Sequence, residues 1–261
     1  MKILVLLAGV ADIRFPLHTL NISAEGLIEE GGTVRRLLSP FDEAALELAL
    51  KLRASRSDCR IDVLLLAGAN SEAMLRTVAA FRPDSLRRLD LQPTCLWDAQ
   101  LTARQIAGLL ENEDVADLLL IGREFGDLDE GSIPVLLAQR LNYPLFALAQ
   151  HAEWAGEQVR LLRERGADEE SVLVCAPLLA SVTNDKRNKL RHPLMKNVME
   201  TKRMSFADVT ASVAEVTVLP LASLEAARVS VREGQCRLLE GDTARQASEL
   251  LAYLNEQGVG A

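Results

Sequence analysis

Aromatic residues are scarce, at 4% of the chain, and cationic residues are outnumbered: 29 lysines and arginines against 37 aspartates and glutamates, a net charge of −8. Nucleic-acid binders carry a basic surface, and single-strand binders add rings on which bases stack, so both classes are disfavoured. Four cysteines, Cys59, Cys95, Cys175 and Cys236, are scattered with no Cys-x-x-Cys pair and no Cys/His cluster. That argues against a zinc or iron–sulfur site and suits reduced thiols in a cytoplasmic protein. No apolar run approaches the roughly 20 residues that span a bilayer, so no membrane insertion is expected. The histidines, His18, His151 and His192, stand apart from any nucleophile motif. There is no Gly-x-Ser-x-Gly, no His-Glu-x-x-His and no P-loop signature, so an enzyme with its own catalytic residues is not expected.

What the chain does have is apolar material: 49% of its 261 residues are hydrophobic, enough for one substantial core over residues 1–261. Lys2–Leu7 reads as a buried first strand rather than a minimal signal peptide, because the apolar run is short and only Lys2 is positive. Residues 18–22 and 33–38 are expected to form a hairpin around Gly26, Gly31 and Gly32. Ser39-Pro40-Phe41-Asp42-Glu43 is a helix start with a cap, a proline at the first position and acids against the macrodipole. Ile61–Ala67, Leu86–Leu91 and Leu118–Ile121 read as strands, and 71–81 and 98–110 as helices. Asp117–Leu141 is the organising stretch: a strand closed by Gly122, an acidic glycine loop, then a helix with Ser132 as its N-cap candidate.

Strands alternating with helices, about 30 residues per unit, imply an α/β fold with a mostly parallel open sheet wrapped by helices on both faces. After Pro144, residues 145–153, 158–164 and 171–176 read as strands without intervening helices, an antiparallel extension turning at Gly156. A strand at 215–219 and a C-terminal helix at 242–256 follow. In such sheets ligands bind beyond the carboxyl ends of the strands, and a helix N-terminus there offers N–H groups to an anion. The acids Glu124, Asp127, Asp129 and Glu130 have oxygen-ligand chemistry, but carboxylates at loop tips are more often solvated or capping groups. Residues 184–203 run against the chain's net sign, with Lys186, Arg187, Lys189, Arg191, His192, Lys196, Lys202 and Arg203 around the apolar Met195, Val198 and Met199. That concentration of charge suits a docking surface or a solvated loop with a short helix.

Ser39-Pro-Phe-Asp-Glu-Ala-Ala-Leu-Glu-Leu-Ala-Leu-Lys-Leu52 closely resembles the Asn-Pro-Phe-(Asp/Cys)-Glu helix start of electron transfer flavoprotein β subunits. Ile121-Gly-Arg-Glu-Phe-Gly-Asp-Leu-Asp129 resembles that family's Leu-Gly-Lys-Gln-Ala-Ile-Asp-x-Asp loop. Arg191 and Asn197-Val-Met-Glu-Thr-Lys202 resemble its Pro-Arg-Tyr and Asn-Ile-Met-Lys-Ala-Lys. The order and spacing of these motifs run almost end to end. The resemblance implies a fold of the adenine-nucleotide α-hydrolase type, with a recognition loop at about 184–203 and a C-terminal arm and helix at about 205–261. It also implies a non-catalytic electron carrier, paired with an α subunit that holds the FAD, serving flavin dehydrogenases and an electron-accepting oxidoreductase.

By the same resemblance Phe41 approaches the isoalloxazine of the α-bound FAD, and Ile13 stands where many members carry a tyrosine near it. Leu6, Ala67, Phe125 and Asp129 are the counterparts of residues around the base and ribose of a nucleotide in the β subunit, AMP in many members. Gly131, Ser132 and Ile133 match the family's phosphate-binding Asn-Gln-Thr. Ile133 lacks the threonine hydroxyl, whereas backbone N–H groups survive any substitution but proline. Phe125 replaces a small residue and either stacks on adenine or fills its pocket. Met195 matches the leucine that anchors in a partner's apolar pocket, with Arg191, Lys196 and Lys202 beside it. Two rival expectations remain: a bifurcating subunit with its own FAD, and a nucleotide-binding regulatory or sensor protein of universal-stress type.

Overall fold

Alternate residues of the first strand bury on opposite sides of a sheet, and that period of two organises the protein. The computed structural model describes residues 1–15, 20–24, 28–30, 34–68, 71–91, 98–127, 129–210, 223, 236 and 238–258. In order they form β1 (Lys2–Leu7), β2 (Val10–Ala11), β3 (Leu20–Ile22), β4 (Ile28–Glu30), β5 (Arg36–Leu37), α1 (Pro40–Ser55), β6 (Arg60–Ala67), α2 (Glu72–Ala79), β7 (Ser85–Asp90), α3 (Ala99–Leu110), β8 (Leu118–Gly122) and α4 (Ser132–Leu141). Then come β9 (Leu145–Ala149), β10 (His151–Ala155), β11 (Gln158–Arg165), β12 (Asp168–Leu173), β13 (Leu178–Val182), a 3₁₀ turn (Lys186–Asn188), α5 (Met195–Thr201), β14 (Ala207–Val209) and α6 (Thr243–Glu256). Two compact units result, Met1–Leu224 and Glu225–Ala261.

The main sheet has seven strands in the order β14-β7-β6-β1-β8-β13-β9, and every pairing in it is parallel. Ile3, Val5, Leu7, Ile61, Val63, Leu65, Leu118 and Leu120 pack with the apolar stripes of α1 and α2. Leu4, Leu6, Leu64, Leu66, Leu119 and Ile121 pack with α3 and α4 on the other face. Strands buried on both faces read as continuous apolar runs, which is why the sequence marks them well. The chain proceeds from β1 outward through β6 to β7, then returns to place β8 on the other side of β1. In open sheets such a reversal is where a ligand crevice is expected, beyond the carboxyl ends of β1 and β8.

Three local expectations differ from the structure. The 20–22 strand pairs with β4, and β5 pairs instead with β2; His18, Gly26, Gly31 and Gly32 lie outside the described residues. The stretch 145–153 breaks at Gln150: β9 joins the main sheet parallel to β13, while β10, β11 and β12 form a separate antiparallel sheet. Strands β13 and β14 were not expected, and the strand expected at 215–219 lies outside the described residues. In the second unit, α6 is capped by Asp242, whose carboxylate accepts the Arg245 amide at 2.9 Å, and its Leu250, Leu251 and Tyr253 are exposed. Among the described residues no helix is long and apolar enough to cross a membrane.

Candidate functional site

The crevice is framed by the first turn of α1, the ends of β1 and β8, and the loop leading into α4. Ser39 caps α1: its hydroxyl accepts the Asp42 amide at 2.9 Å, and the Asp42 carboxylate accepts the Ser39 amide at 3.0 Å, a reciprocal box. Asp42 reaches further. Its oxygens also accept the amides of Gly9 at 2.9 Å and Ala8 at 3.3 Å, fastening α1 to the end of β1. The residue is fully buried, and burial pushes its carboxyl above the usual range while the three amides pull the other way.

Phe41, next to it, is half-buried and faces the start of the acidic loop. The Arg123 guanidinium lies 5.8 Å from its ring centroid and pairs with Glu124 at 2.9 Å. Gly122 is required here by close approach: a Cβ on it would sit 2.9 Å from both the Phe41 Cβ and the Glu124 carbonyl oxygen. Further along the loop, Asp127 accepts the Ala11 amide at 2.8 Å and the Arg36 guanidinium at 2.7 Å, tying the loop to the β2–β5 pair. On the far side of that pair, Asp12 accepts the amide and guanidinium of Arg14, and its own amide donates to the Arg35 carbonyl at 2.8 Å. The Arg14 bonds hold the Asp12 carboxyl below the ordinary range. The turn so pinned projects Ile13, 85% exposed, and Phe15, over whose ring the Arg35 guanidinium lies at 4.7 Å.

The start of α4 is built differently from the sequence expectation. The N-cap is Gly131, at φ +99°, and Ser132 is the first helical residue with its side chain exposed and no capping bond. The cap is supplied by Asp129. One of its oxygens accepts the amides of Gly131 at 3.1 Å, Ser132 at 2.8 Å and Ile133 at 3.3 Å, and the other accepts the Phe125 amide at 3.1 Å. A carboxylate under the first N–H groups of a helix is where the macrodipole favours negative charge. The left-handed turn at Gly131 lets the chain double back over Asp129. Phe125 has no exposed surface and packs in one cluster with Leu6, Ile121, Ile133 and Leu137. Leu6 and Ile133 are likewise at 0%. Ala67, also fully buried, belongs to the cluster on the opposite face of the sheet. Among the described residues no group of three or more acidic, histidine or cysteine side chains is disposed to hold a metal ion.

The basic segment is strapped down. The Asn188 side chain donates to the Gln150 carbonyl at 2.7 Å, and Lys51 to the Arg187 carbonyl. Arg191 forks onto Glu47 of α1, whose side chain is buried, with its backbone amide donating to the same carboxylate at 3.1 Å. The Asn197 side chain donates to the Ala80 carbonyl at 3.1 Å and accepts from Arg82 at 2.8 Å; Arg76 donates to the Thr201 carbonyl and Arg82 pairs with Glu200. From this strap four apolar side chains stand out into solvent: Leu194, Met195, Met199 and Met204. Lys196 and Lys202 are exposed beside them.

Against known proteins, the model of the electron transfer flavoprotein domain matches residues 29–214, which span α1, the acidic loop, the strap and β14. The chain is 26% identical over 261 residues to the electron transfer flavoprotein subunit beta of Bradyrhizobium diazoefficiens, covering 99% of this chain and 100% of that protein. It is 27% identical over 237 residues to the mouse protein of that name, 89% of each chain. This chain belongs to the electron transfer flavoprotein beta-subunit family. Like the Bradyrhizobium relative, the Bacillus subtilis electron transfer flavoprotein subunit beta aligns over most of its length, 90% of it, at 23% identity.

Within this beta-subunit fold, sequence reasoning assigned Phe41 to the flavin of an α subunit and Asp129 with Gly131–Ile133 to a separate nucleotide; the structure sets Phe41 against Gly122 and turns the amides of Gly131–Ile133 onto Asp129. It did not find Asp42 or Glu47 as buried joints, nor Leu194 and Met204 as part of the exposed apolar row. Asp42 carried a legible signal, since a serine followed three residues later by an acid is the pattern of a reciprocal cap. Glu47 carried none: one acid on an apolar helix declares no partner 144 residues away.

Proposed function

We propose that this chain is the beta subunit of a heterodimeric electron transfer flavoprotein, with the FAD held mainly by an α subunit. The complex accepts electrons from one or more flavin dehydrogenases and passes them to a quinone-linked or other acceptor oxidoreductase in the cytoplasm. Bound FAD supplies the redox chemistry; this chain supplies walls and a docking face, and no catalytic residue. Phe41 is suited to wall one edge of an isoalloxazine, because Asp42 locks the helix that carries it and Arg123 lies against its ring. Ile13, held out by the Asp12 turn, offers an apolar side chain to the same neighbour. Both fit the apolar edge of a flat aromatic ring system brought by another subunit.

The observation that carries the reading is the strap: an exposed apolar row with cations around it, fixed to α1 and α2 by side chain-to-backbone bonds. Monomeric proteins rarely spend ordered backbone on an exposed hydrophobic row without a partner for it. In this reading Met195 serves as the anchor, supported by its exposure, Lys196 and Lys202 as steering charges, and Arg191, bonded to Glu47, as the residue that sets the segment's position.

Co-expression with the α subunit tests the reading. The expected product is a one-to-one complex with one FAD, reducible by a flavin dehydrogenase. A colourless complex, or tight flavin binding by this chain alone, would sink it; a second FAD would favour a bifurcating subunit.

A further inference from the structure

We propose that this beta subunit carries no nucleotide in its own crevice, because the ring of Phe125 is buried where the resemblance puts a base, and Asp129, expected beside the base and ribose, instead takes the first amides of α4 that a phosphate would need. The inference rests on the family reading only for the expectation of a nucleotide; the geometry is this chain's own. A helix N-terminus binds phosphate through its first free amides. Here those amides, on Gly131, Ser132 and Ile133, all point at one oxygen of Asp129, between 2.8 and 3.3 Å away. The anion site is filled by an anion already in the chain. A phosphate arriving there would have to pull Asp129, only 7% exposed, off three donors and then face its displaced negative charge at short range.

The base has no better access. Phe125, in the sequence position of a small family residue, is at 0% exposure, one of the largest fully buried side chains in the protein. It lies in one buried cluster with Leu6 and Ile133. Its backbone amide is bonded to the second oxygen of Asp129 at 3.1 Å, so ring and carboxylate hold each other in place. Opening a base pocket would mean extracting that ring from the core and breaking this bond. Two features that a nucleotide would otherwise hold, the described loop residues 123–127 and the start of α4, are therefore held by the chain's own side chains. Asp129 is a positioning residue for the loop that carries Arg123 and Asp127.

The test uses the αβ complex as isolated. Denaturation and mass spectrometry of released small molecules should yield FAD and no AMP. The result separates the two readings: flavin content reports on the proposed function, and a further nucleotide reports on the crevice. One AMP, or one extra FAD, per complex would overturn the closed crevice whether or not the α-subunit flavin is present. Added AMP at about 1 mM should leave the melting temperature of the complex unchanged, whereas a site with micromolar affinity would raise it measurably. The double variant Phe125→Ala with Asp129→Ala frees the three amides and empties the ring's space. It should melt lower than the parent and gain an AMP-dependent rise in melting temperature. A folded double variant indifferent to AMP would overturn the assignment to these two residues. If that variant fails to fold, the wild-type nucleotide measurement still decides.

Discussion

One carboxylate oxygen of Asp42 accepts the Gly9 amide at 2.9 Å and the Ser39 amide at 3.0 Å, so the cap of α1 and the backbone just beyond β1 share a single buried acceptor. Asp42→Ala strands three amides away from water. With about 1–3 kcal/mol for each unsatisfied buried group, partly relieved by relaxation, a loss of about 3 kcal/mol is expected. Asp42→Asn keeps one acceptor and should lose clearly less. Urea unfolding of the two variants measures this; equal losses would mean that the acceptor count is not what matters.

Acidification should loosen the turn that presents Ile13 before it unfolds the core. Asp12 is held below the ordinary carboxylate range by Arg14, so its folded value lies beneath its unfolded one. Its contribution is present above about pH 4 and is lost as pH falls through the lowered value. Hydrogen exchange at the Arg14 and Phe15 amides should accelerate over that window. In Asp12→Asn the exchange should already be fast at neutral pH and show no step there.

A methyl group at Gly122 would meet Phe41 and the Glu124 carbonyl at once. Gly122→Ala should cost about 1–3 kcal/mol, as overpacking does, and displace the Phe41 ring. If Phe41 walls the flavin of the α subunit, the complex should also release FAD faster on dilution. Unaltered FAD retention in a variant that melts lower would separate Phe41 from the flavin.

Truncating Met195, 74% exposed, should leave folding within about 0.5 kcal/mol. Met195→Ala should weaken a dehydrogenase complex by about 1–2 kcal/mol, five- to thirtyfold, mainly in the off-rate. Lys196→Glu and Lys202→Glu should instead slow association, an effect that fades as salt rises. Stopped-flow electron transfer across a salt series distinguishes the two. Wild-type kinetics in Met195→Ala with intact flavin would rule Met195 out as the anchor.

The fork between Arg191 and Glu47 should matter more to the strap's position than to overall stability. Glu47 is 5% exposed and Arg191 43%, so solvent screens one side and a loss of about 1–2 kcal/mol is expected for Arg191→Ala. Arg191→Lys keeps the charge without the planar fork and should restore little. Limited proteolysis between residues 186 and 194 is the readout: cleavage should rise in both variants. Protection equal to the parent in Arg191→Ala would show that Asn188 and Asn197 hold the segment unaided.

The parallel strands β1, β6, β7 and β8 and helix α1 were legible because their signals are local: short apolar runs, and a cap followed by proline and acids. Strand β13 was not, although Leu178-Leu-Ala-Ser-Val182 is apolar enough. It follows Pro177 directly, and its place between β8 and β9 depends on pairings with residues far away in sequence. The pairing of β5 with β2 escaped for the same reason, since two residues per strand carry no period. At α4 the sequence advertised a helix start with free amides but not their acceptor. Ser132 looked like the cap; the left-handed backbone at Gly131 moved it into the helix and turned the amides onto Asp129.

The strap over residues 184–204 separates two demands that most interaction surfaces combine. Its position is set by Asn188, Arg191, Asn197 and the Thr201 carbonyl, all turned toward the body of the protein. Its outward row, Leu194, Met195, Met199 and Met204, holds nothing in place. Those four positions can therefore be rewritten by mutation with little penalty in folding, provided the inward four are kept. A lineage could exchange one binding preference for another without passing through unstable intermediates, and a library randomised at the outward positions alone should yield mostly folded proteins.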